Sequence, residues 1–409
     1  MLITKKLRLI ILLTTSFFVY SDIICENILI IVNDQQPHLI ATTFVFGFLV
    51  LQIIFASIQS ALSDFLGRKK SLIFSLSVSL FSLICAYLYT NFHFHFGFLL
   101  ILALASKAIW GNTIPISFAA IADSQGKNYR RSFALASSTY SIAFITIILI
   151  NFFSTRDFVN ILISTVFLLF SLFTCIFAFK DKSDKTAHLP YDIQHIENSR
   201  NFFSKFWLLG IREIGLLKKE LRRPLTKYAL SAYILWEISM YSVIISQIDL
   251  SNNSPEQITL AMMFAYLFGA FILQIRPFTK ISDRKILKFA YILSFFSFLP
   301  YFILVGFINS QNLLIGICYT LHALGNAFLS PTILSILATG RSTHDQGKIL
   351  GLAESSDTVA FLIATIFVMV YATYQLPISF LVLFSFVAFS TSWVYYSLIM
   401  KHEKLIKQF

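Results

Sequence analysis

The sequence Ala61-Leu62-Ser63-Asp64-Phe65-Leu66-Gly67-Arg68-Lys69-Lys70 places an acid, a glycine and three bases between two apolar stretches. The flanking stretches, near 41–62 and 72–89, are each long enough to cross a bilayer as a helix. A glycine between two such helices permits a tight turn at the membrane surface. The charged turn therefore predicts a chain that crosses a membrane on both sides of it.

The composition extends this prediction to the whole chain. Of 409 residues, 57% are hydrophobic and only 13% are charged, so the solvent for most of the chain is lipid. Helices are expected, because the bilayer core offers no water to backbone polar groups and the alternation of a barrel strand is absent. The sequence predicts an all-α membrane protein with twelve transmembrane helices. The twelve apolar stretches lie near 9–31, 41–62, 72–89, 97–121, 133–153, 158–179, 225–247, 257–275, 287–308, 312–338, 349–371 and 377–399.

The net charge of +12 is explained by the orientation of the chain in the membrane rather than by a nucleic-acid partner. Lys107 lies inside a stretch and Arg156 in an opposite connection, whereas the other bases fall in or beside the termini, alternate loops and a central loop. This is the positive-inside pattern. We therefore expect a multi-pass protein of the cytoplasmic (inner) membrane with both termini and the central loop in the cytoplasm.

Short strings recur in order along the chain at a nearly constant offset. Gly47-Phe-Leu-Val-Leu-Gln52 returns as Gly269-Ala-Phe-Ile-Leu-Gln274, and Leu62-Ser63-Asp64 returns as Ile281-Ser282-Asp283. Such a repeat predicts two six-helix bundles, over 1–180 and 225–409. The segment 181–224 between them is expected to be a cytoplasmic linker. Its apolar-periodic part, Phe202 to Leu221, is either an amphipathic helix on the membrane surface or ordinary solvated linker.

Twelve spans, a six-plus-six repeat and this charged loop resemble the major facilitator superfamily. The loop of that family reads approximately Gly-x-x-x-Asp-Arg-x-Gly-Arg-Arg/Lys. Asp64, Gly67, Arg68 and Lys69 match it, whereas Ser60 and Phe65 replace its first glycine and first arginine. The sequence around the loop, from Gln52 to Asp64, is most similar to that of proton-driven drug antiporters of the tetracycline-exporter type. The resemblance implies a transporter that works by alternating access.

Asp64 at a helix end could pair with bases across the interface between the halves, and such a network holds one face of a transporter shut. The alternative is that the bases only set topology. The recurrence of the arrangement at Asp283 favours gating. The predicted gating residues are Asp64, Gly67, Arg68, Lys69, Asp123, Arg130, Asp283 and Arg284.

Two features depart from the family pattern. Where the family carries an arginine and a glycine four residues apart in its fourth helix, this chain has Lys107 and Gly111. A buried lysine releases its proton far more readily than an arginine. The stretch at 133–153 has neither glycine nor proline, unlike the fifth helix of the antiporters, which argues against export.

Charged groups at bilayer depth cost about 2.5–3.5 kcal/mol on insertion scales, which makes each a functional candidate. Asp22 and Glu237 are the first choices for proton coupling, followed by Glu26, because carboxylates in a low-dielectric cavity can exchange protons near neutral pH. Lys107 could serve as the counter-ion of Asp22 or hold an anionic substrate. The predicted cavity residues are Asp22, Glu26, Lys107, Asn112, Glu237, His322, Asn326, Glu354 and Asp357.

Structural roles compete with several of these assignments. Glu354 could snorkel to the surface, His322 could be a packing histidine, and Asp22 with Lys107 could be a structural ion pair. The 45 phenylalanines either line a cavity for aromatic solutes or simply face lipid.

The sequence predicts a secondary active transporter of a small organic solute, energised by protons, with drug or metabolite efflux favoured. Proton-symport uptake, uniport and a non-transporting membrane sensor remain alternatives. An enzyme is not expected, since no nucleophile–base cluster, metal pattern or Gly-x4-Gly-Lys-Ser/Thr loop occurs. The expected partners are the substrate, protons and the bilayer, without nucleic acid or cofactor, and the expected state is a monomer.

Overall fold

The structure is a computed structural model that describes residues 2–25, 38–92, 97–125, 129–153, 157–179, 218–250, 255–304, 312–339, 346–376 and 378–406. Within these ranges the chain is almost entirely helical, apart from short turns and breaks, and contains no strand. The helices are α1 Leu2–Cys25, α2 His38–Leu66, α3 Arg68–Phe92, α4 Gly97–Trp110, α5 Ile114–Gln125, α6 Tyr129–Phe153, α7 Asp157–Phe177, α8 Pro224–Leu250, α9 Pro255–Ile272, α10 Arg276–Thr279, α11 Asp283–Leu304, α12 Asn312–Ala338, α13 Gln346–Thr373 and α14 Ile378–Ile406.

A helix lies at each of the twelve predicted apolar stretches, which confirms the all-α membrane fold. In the described ranges, seven helical segments are long and apolar enough to cross a membrane, and three shorter apolar segments accompany them. Each helix satisfies its own backbone hydrogen bonds, as the bilayer core requires. The fourth predicted helix differs from expectation, because residues 111–113 interrupt it between α4 and α5.

The exact boundaries of the two halves remain a prediction. α7 ends at Phe177 and α8 begins at Pro224, on either side of the proposed linker. Residues 180–217, which hold most of the predicted amphipathic segment, lie outside the described residues. The predicted halves meet where α2 packs on α13 and where α6 packs on α9 and α12.

Small residues allow α2 and α13 to approach closely. Gly347 and Gly351 lie one turn apart on α13 and face Ser57 and Ser60 of α2. A Cβ on Gly351 would stand 2.7 Å from the Cβ of Ser60 and 3.0 Å from the Cα of Ser57, which is closer than side chains tolerate. This small-xxx-small arrangement brings helix backbones together in membranes, where lipid gives no hydrophobic drive.

Phenylalanines cover much of the outer surface. Phe173, Phe177 and Phe271 are each at least 60% exposed in the isolated chain. Their positions suit contact with lipid tails, so the large phenylalanine content is explained in part by lipid-facing composition.

Candidate functional site

The charged turn between α2 and α3 is fixed by its glycine and by an arginine cluster. Gly67 adopts φ 90°, a left-handed conformation that glycine reaches without steric cost. Arg68 is buried and pairs with Asp64, donates to Asp123 Oδ2 at 2.8 Å, and contacts Ser63. Lys69 Nζ donates to the carbonyl of Ile176, near the end of α7, at 2.7 Å. The turn is therefore held against α5 and α7 of the same half.

Asp64 links the two halves through backbone amides. Its Oδ1 accepts the Gly347 N–H at 3.1 Å and its Oδ2 accepts the Lys348 N–H at 3.2 Å. Both amides belong to the first turn of α13, where unpaired N–H groups and the helix dipole favour an anion. We expected Asp64 to pair with bases across the interface. Its base is instead Arg68 of its own turn, and its contacts across the interface are with a helix N-terminus.

A second clamp joins the halves near the start of α6. Arg130 forms an ion pair with Asp283 and donates to the carbonyls of Phe278 at 2.9 Å and Ile281 at 2.7 Å. Asp283 thus meets the start of α6, as its repeat partner Asp64 meets the start of α13. We call the side of the molecule that carries Asp64, Arg68, Asp123, Arg130 and Asp283 the basic face.

Several contacts at the basic face were not anticipated from the sequence. Arg131 and Gln274 exchange two hydrogen bonds, at 3.2 Å and 2.9 Å, and the hydroxyls of Ser57 and Ser355 lie 2.7 Å apart. Arg284, one of the predicted gating residues, is exposed, and its carbonyl accepts the Tyr396 hydroxyl. The ionic partner of Asp283 comes from the other half.

Asp22 and Lys107 form a buried ion pair within the membrane. Lys107 Nζ lies 2.5 Å from Asp22 Oδ1 and 3.0 Å from the Gly111 carbonyl, and the two residues are 4% and 1% exposed, respectively. The Thr113 N–H donates to Asp22 Oδ2 at 3.2 Å. The structure brings together two of the predicted cavity residues, and it adds a backbone amide that no local pattern indicated.

The interruption of the fourth helix supplies that amide. Gly111, Asn112 and Thr113 are not helical, and Asn112 Oδ1 accepts the Ile114 N–H at 3.1 Å, as a helix-capping asparagine does. Carbonyls at the break accept side-chain donors: the Ser75 hydroxyl donates to Trp110 at 2.7 Å, and the Ser79 hydroxyl donates to Gly111 at 2.7 Å. The broken segment therefore ends in satisfied polar groups rather than in orphaned ones.

The interruption also reaches the other half. The Asn112 amide lies 3.5 Å from the Glu354 carboxylate of α13. Asn112 is buried and Glu354 is half-buried, so Glu354 lies at the interface between the two halves in this conformation. This contact connects the ion-pair region to the helix whose N-terminus Asp64 caps.

The second half carries two more carboxylates near this interface. Glu237 on α8 is buried, and its charge lies within electrostatic reach of Asp357 on α13. The Tyr241 hydroxyl donates to the Asp357 carboxylate, at 3.1 Å from either oxygen. The Asn326 amide nitrogen lies 3.5 Å from Glu237 Oε2 and 2.7 Å from Met240 Sδ. The sequence predicted both acids and Asn326, but not the tyrosine.

His322 lies in an aromatic environment. Its ring stacks on Trp236 with centroids 5.2 Å apart, and its Nδ1 lies 3.4 Å from the Ser297 hydroxyl. These contacts are those of a packed histidine, which is the structural alternative considered for it. Glu26, the remaining predicted cavity residue, lies outside the described residues.

The fold is shared with solved transporters. The human organic anion transporter MFSD10 (TETRAN) is 15% identical, with a TM-score of 0.69 over 96% of this chain and 99% of that chain. FucP, a Major Facilitator Superfamily transporter in the outward conformation, is 12% identical, with a TM-score of 0.69 over 95% and 98%. A bacterial homologue of the iron transporter ferroportin, outward-facing, is 10% identical, with a TM-score of 0.67 over 97% and 99%.

No curated protein sequence matches this chain. The family comparison gives a definite result, because residues 12–365 match the profile described as Major Facilitator Superfamily. The family match, together with the shared transporter fold, indicates a secondary transporter of small molecules in a membrane rather than an enzyme. The predicted resemblance is confirmed at this level: the chain belongs to the Major Facilitator Superfamily.

Proposed function

We propose that this chain is a proton-coupled transporter of a small organic solute in the cytoplasmic membrane, and that it works by alternating access in the direction of efflux. The buried ion pair between Asp22 and Lys107 is the main support for proton coupling. An ion pair at this depth is costly to desolvate, so it is weak as a device for stability and typical of a proton or ion pathway.

The geometry suggests how a proton would act. When Asp22 is ionised, it holds Lys107 Nζ at 2.5 Å and the Thr113 amide at 3.2 Å. A proton on Asp22 cancels the charge that Lys107 balances and weakens the tie between α1 and the start of α5. Because Lys107 also donates to Gly111, the break between α4 and α5 responds to the charge state of this pair.

The clamps of the basic face support alternating access. Asp64 and Arg130 both make their contacts between halves through groups that a rocking motion would separate, namely α13 amides and the Asp283 region. Lysines and arginines favour the cytoplasmic side, so we place the basic face there. In this assignment the described conformation is closed toward the cytoplasm.

The test is flux into proteoliposomes with an imposed pH gradient, using a panel of organic solutes. We expect accumulation to depend on the gradient and to disappear in Asp22→Asn. Because that variant leaves Lys107 buried without its acid, Asp22→Asn/Lys107→Gln serves as the charge-neutral companion. It should restore solute exchange without restoring gradient-driven accumulation.

The other functions give different results. A uniporter would keep its full transport in Asp22→Asn/Lys107→Gln and would ignore the pH gradient. Uptake by symport would move protons and solute into the same compartment, whereas efflux by antiport moves them in opposite directions. Saturable ligand binding without flux in either direction would identify a membrane sensor and overturn the proposal.

A further inference from the structure

The two halves differ in how they balance buried negative charge. In the first half, Asp22 is neutralised by Lys107 at 2.5 Å. In the second half, Glu237 and Asp357 lie close enough for their charges to repel, and no lysine or arginine in the described part of the chain pairs with either. Two neighbouring carboxylates without a counter-ion are costly unless a proton or another cation joins them.

An amide oxygen beside these carboxylates supplies independent evidence for a ligand. Asn326 is 5% exposed and its nitrogen is directed at Glu237 and Met240. Its Oδ1 is buried and accepts no hydrogen bond from any described residue. Buried polar atoms are nearly always paired in native proteins, so an unpaired acceptor next to Glu237 calls for a donor from beyond the described residues.

The surroundings fit an organic cation better than a metal ion. No group of three or more histidine, cysteine, aspartate or glutamate side chains converges in the described ranges, as a metal site would require. Aromatic rings are present instead: Tyr241 packs edge-on against Phe361 at 5.0 Å, and Tyr233 and Tyr266 lie near the same carboxylates. Aromatic faces attract ammonium groups, quaternary ones included.

We propose that Glu237, Asp357 and Asn326 bind the positively charged group of an organic cation, an amine or a quaternary ammonium or phosphonium, with Tyr241 beside it. The carboxylates supply the charge, and the free oxygen of Asn326 accepts an N–H where the ligand has one. This assignment names the substrate class and so rests on the proposed transport function, but it is tested by binding, without flux.

The experiment measures equilibrium binding to the purified full chain in lipid nanodiscs, with empty nanodiscs subtracted. Two pairs of probes separate charge from shape. Choline is compared with its uncharged carbon counterpart 3,3-dimethylbutan-1-ol, and tetraphenylphosphonium is compared with the equally shaped anion tetraphenylborate. We expect saturable binding of at least one cation and none of its counterpart.

Variants then assign the binding to the site. Glu237→Gln and Asp357→Asn should each weaken cation binding about tenfold or more, since each removes a charge-assisted contact. Glu237→Asp keeps the charge and should retain measurable binding, which guards against a folding defect. Glu220→Gln is the matched control, because Glu220 lies away from this site. Its carboxylate pairs instead with Arg223, at a distance of 3.2 Å. This variant should bind like the unmodified protein.

Three results would overturn the assignment: no saturable binding of either cation, equal binding of the matched neutral or anionic probe, or unchanged affinity in Glu237→Gln and Asp357→Asn. Failure here is distinct from failure of transport. Flux of a neutral or anionic solute together with absent cation binding would leave the proposed function intact. Cation binding at this site without flux of any solute would support the binding assignment and overturn the proposed transport function.

Discussion

Replacing Asp64 by asparagine should open the basic face. Asp64 accepts two amides of α13, from Gly347 at 3.1 Å and Lys348 at 3.2 Å. The proposed opening of the basic face would break both bonds. Asparagine keeps one oxygen, so one bond is lost and the other loses its charge. The ion pair with Arg68 lies within one half and is broken by the substitution in both conformations, so it does not affect the balance between them.

The size of the effect follows from the two bonds. Hydrogen bonds to charged groups contribute about 1.5–3 kcal/mol and neutral ones about 0.5–1.5 kcal/mol. Two charged bonds replaced by one neutral bond therefore lower the stability of the closed state by about 1.5–5.5 kcal/mol. A change of that size moves a two-state equilibrium about tenfold or more toward the open basic face.

Spin labels at Lys70 and Lys285, which are exposed on opposite halves of the basic face, report this shift by pulsed dipolar spectroscopy. The Asp64→Asn variant should show a larger population of long distances than the unmodified protein. Asp123→Asn is the control, since Asp123 contacts the same Arg68 at 2.8 Å within one half. An unchanged distance distribution in Asp64→Asn, or an equal shift in Asp123→Asn, would refute the role assigned to the amides.

Three further substitutions test other contacts of this face. Gly351→Leu should force α2 and α13 apart, since even a Cβ would stand 2.7 Å from that of Ser60, and the same spin labels should report opening. Gly67→Ala should destabilise the protein by about 1–2 kcal/mol because of the left-handed backbone, and it should lower the unfolding temperature; an unchanged temperature would contradict that strain. Ser57→Cys/Ser355→Cys, in a background without native cysteines, should form a disulfide because the two hydroxyls lie 2.7 Å apart. Oxidation should stop transport and dithiothreitol should restore it, whereas continued flux in the cross-linked protein would show that the face need not open.

The helices and the acid–base pairs were predictable to different extents. Long apolar runs and loop charges led to twelve helices, since lipid imposes both patterns locally. The pairing of Asp22 with Lys107 was also foreseen, because a buried lysine needs an acid nearby. The interruption at Gly111 was not, since the apolar run continues through it and its ends are capped by side chains such as Ser79 from a different helix.

Contacts between distant segments set the limit of sequence reasoning. Asp64 and Gly347 are 283 residues apart, and their bond uses a backbone amide that any residue would offer. No side-chain pattern can therefore identify it. Likewise, Tyr241 meets Asp357 only because α8 packs on α13. A search for complementary charges alone overlooks both the amide and the phenol.

The small residues between α2 and α13 also bear on how fast the halves can exchange. Contacts that form and break in each transport cycle must order and release the side chains that make them. Lysine, arginine, methionine or glutamine loses about 1.5–2 kcal/mol of rotamer entropy on being fixed, whereas glycine and alanine lose none. Gly351 contacts backbone atoms of Ala56 and Ser57 and the short side chain of Ser60, whereas Gly347 lies against the Asp64 and Arg68 side chains. The contacts around Gly351 can therefore close with little ordering of side chains, which suits a surface that would be remade in each cycle of the proposed alternating access.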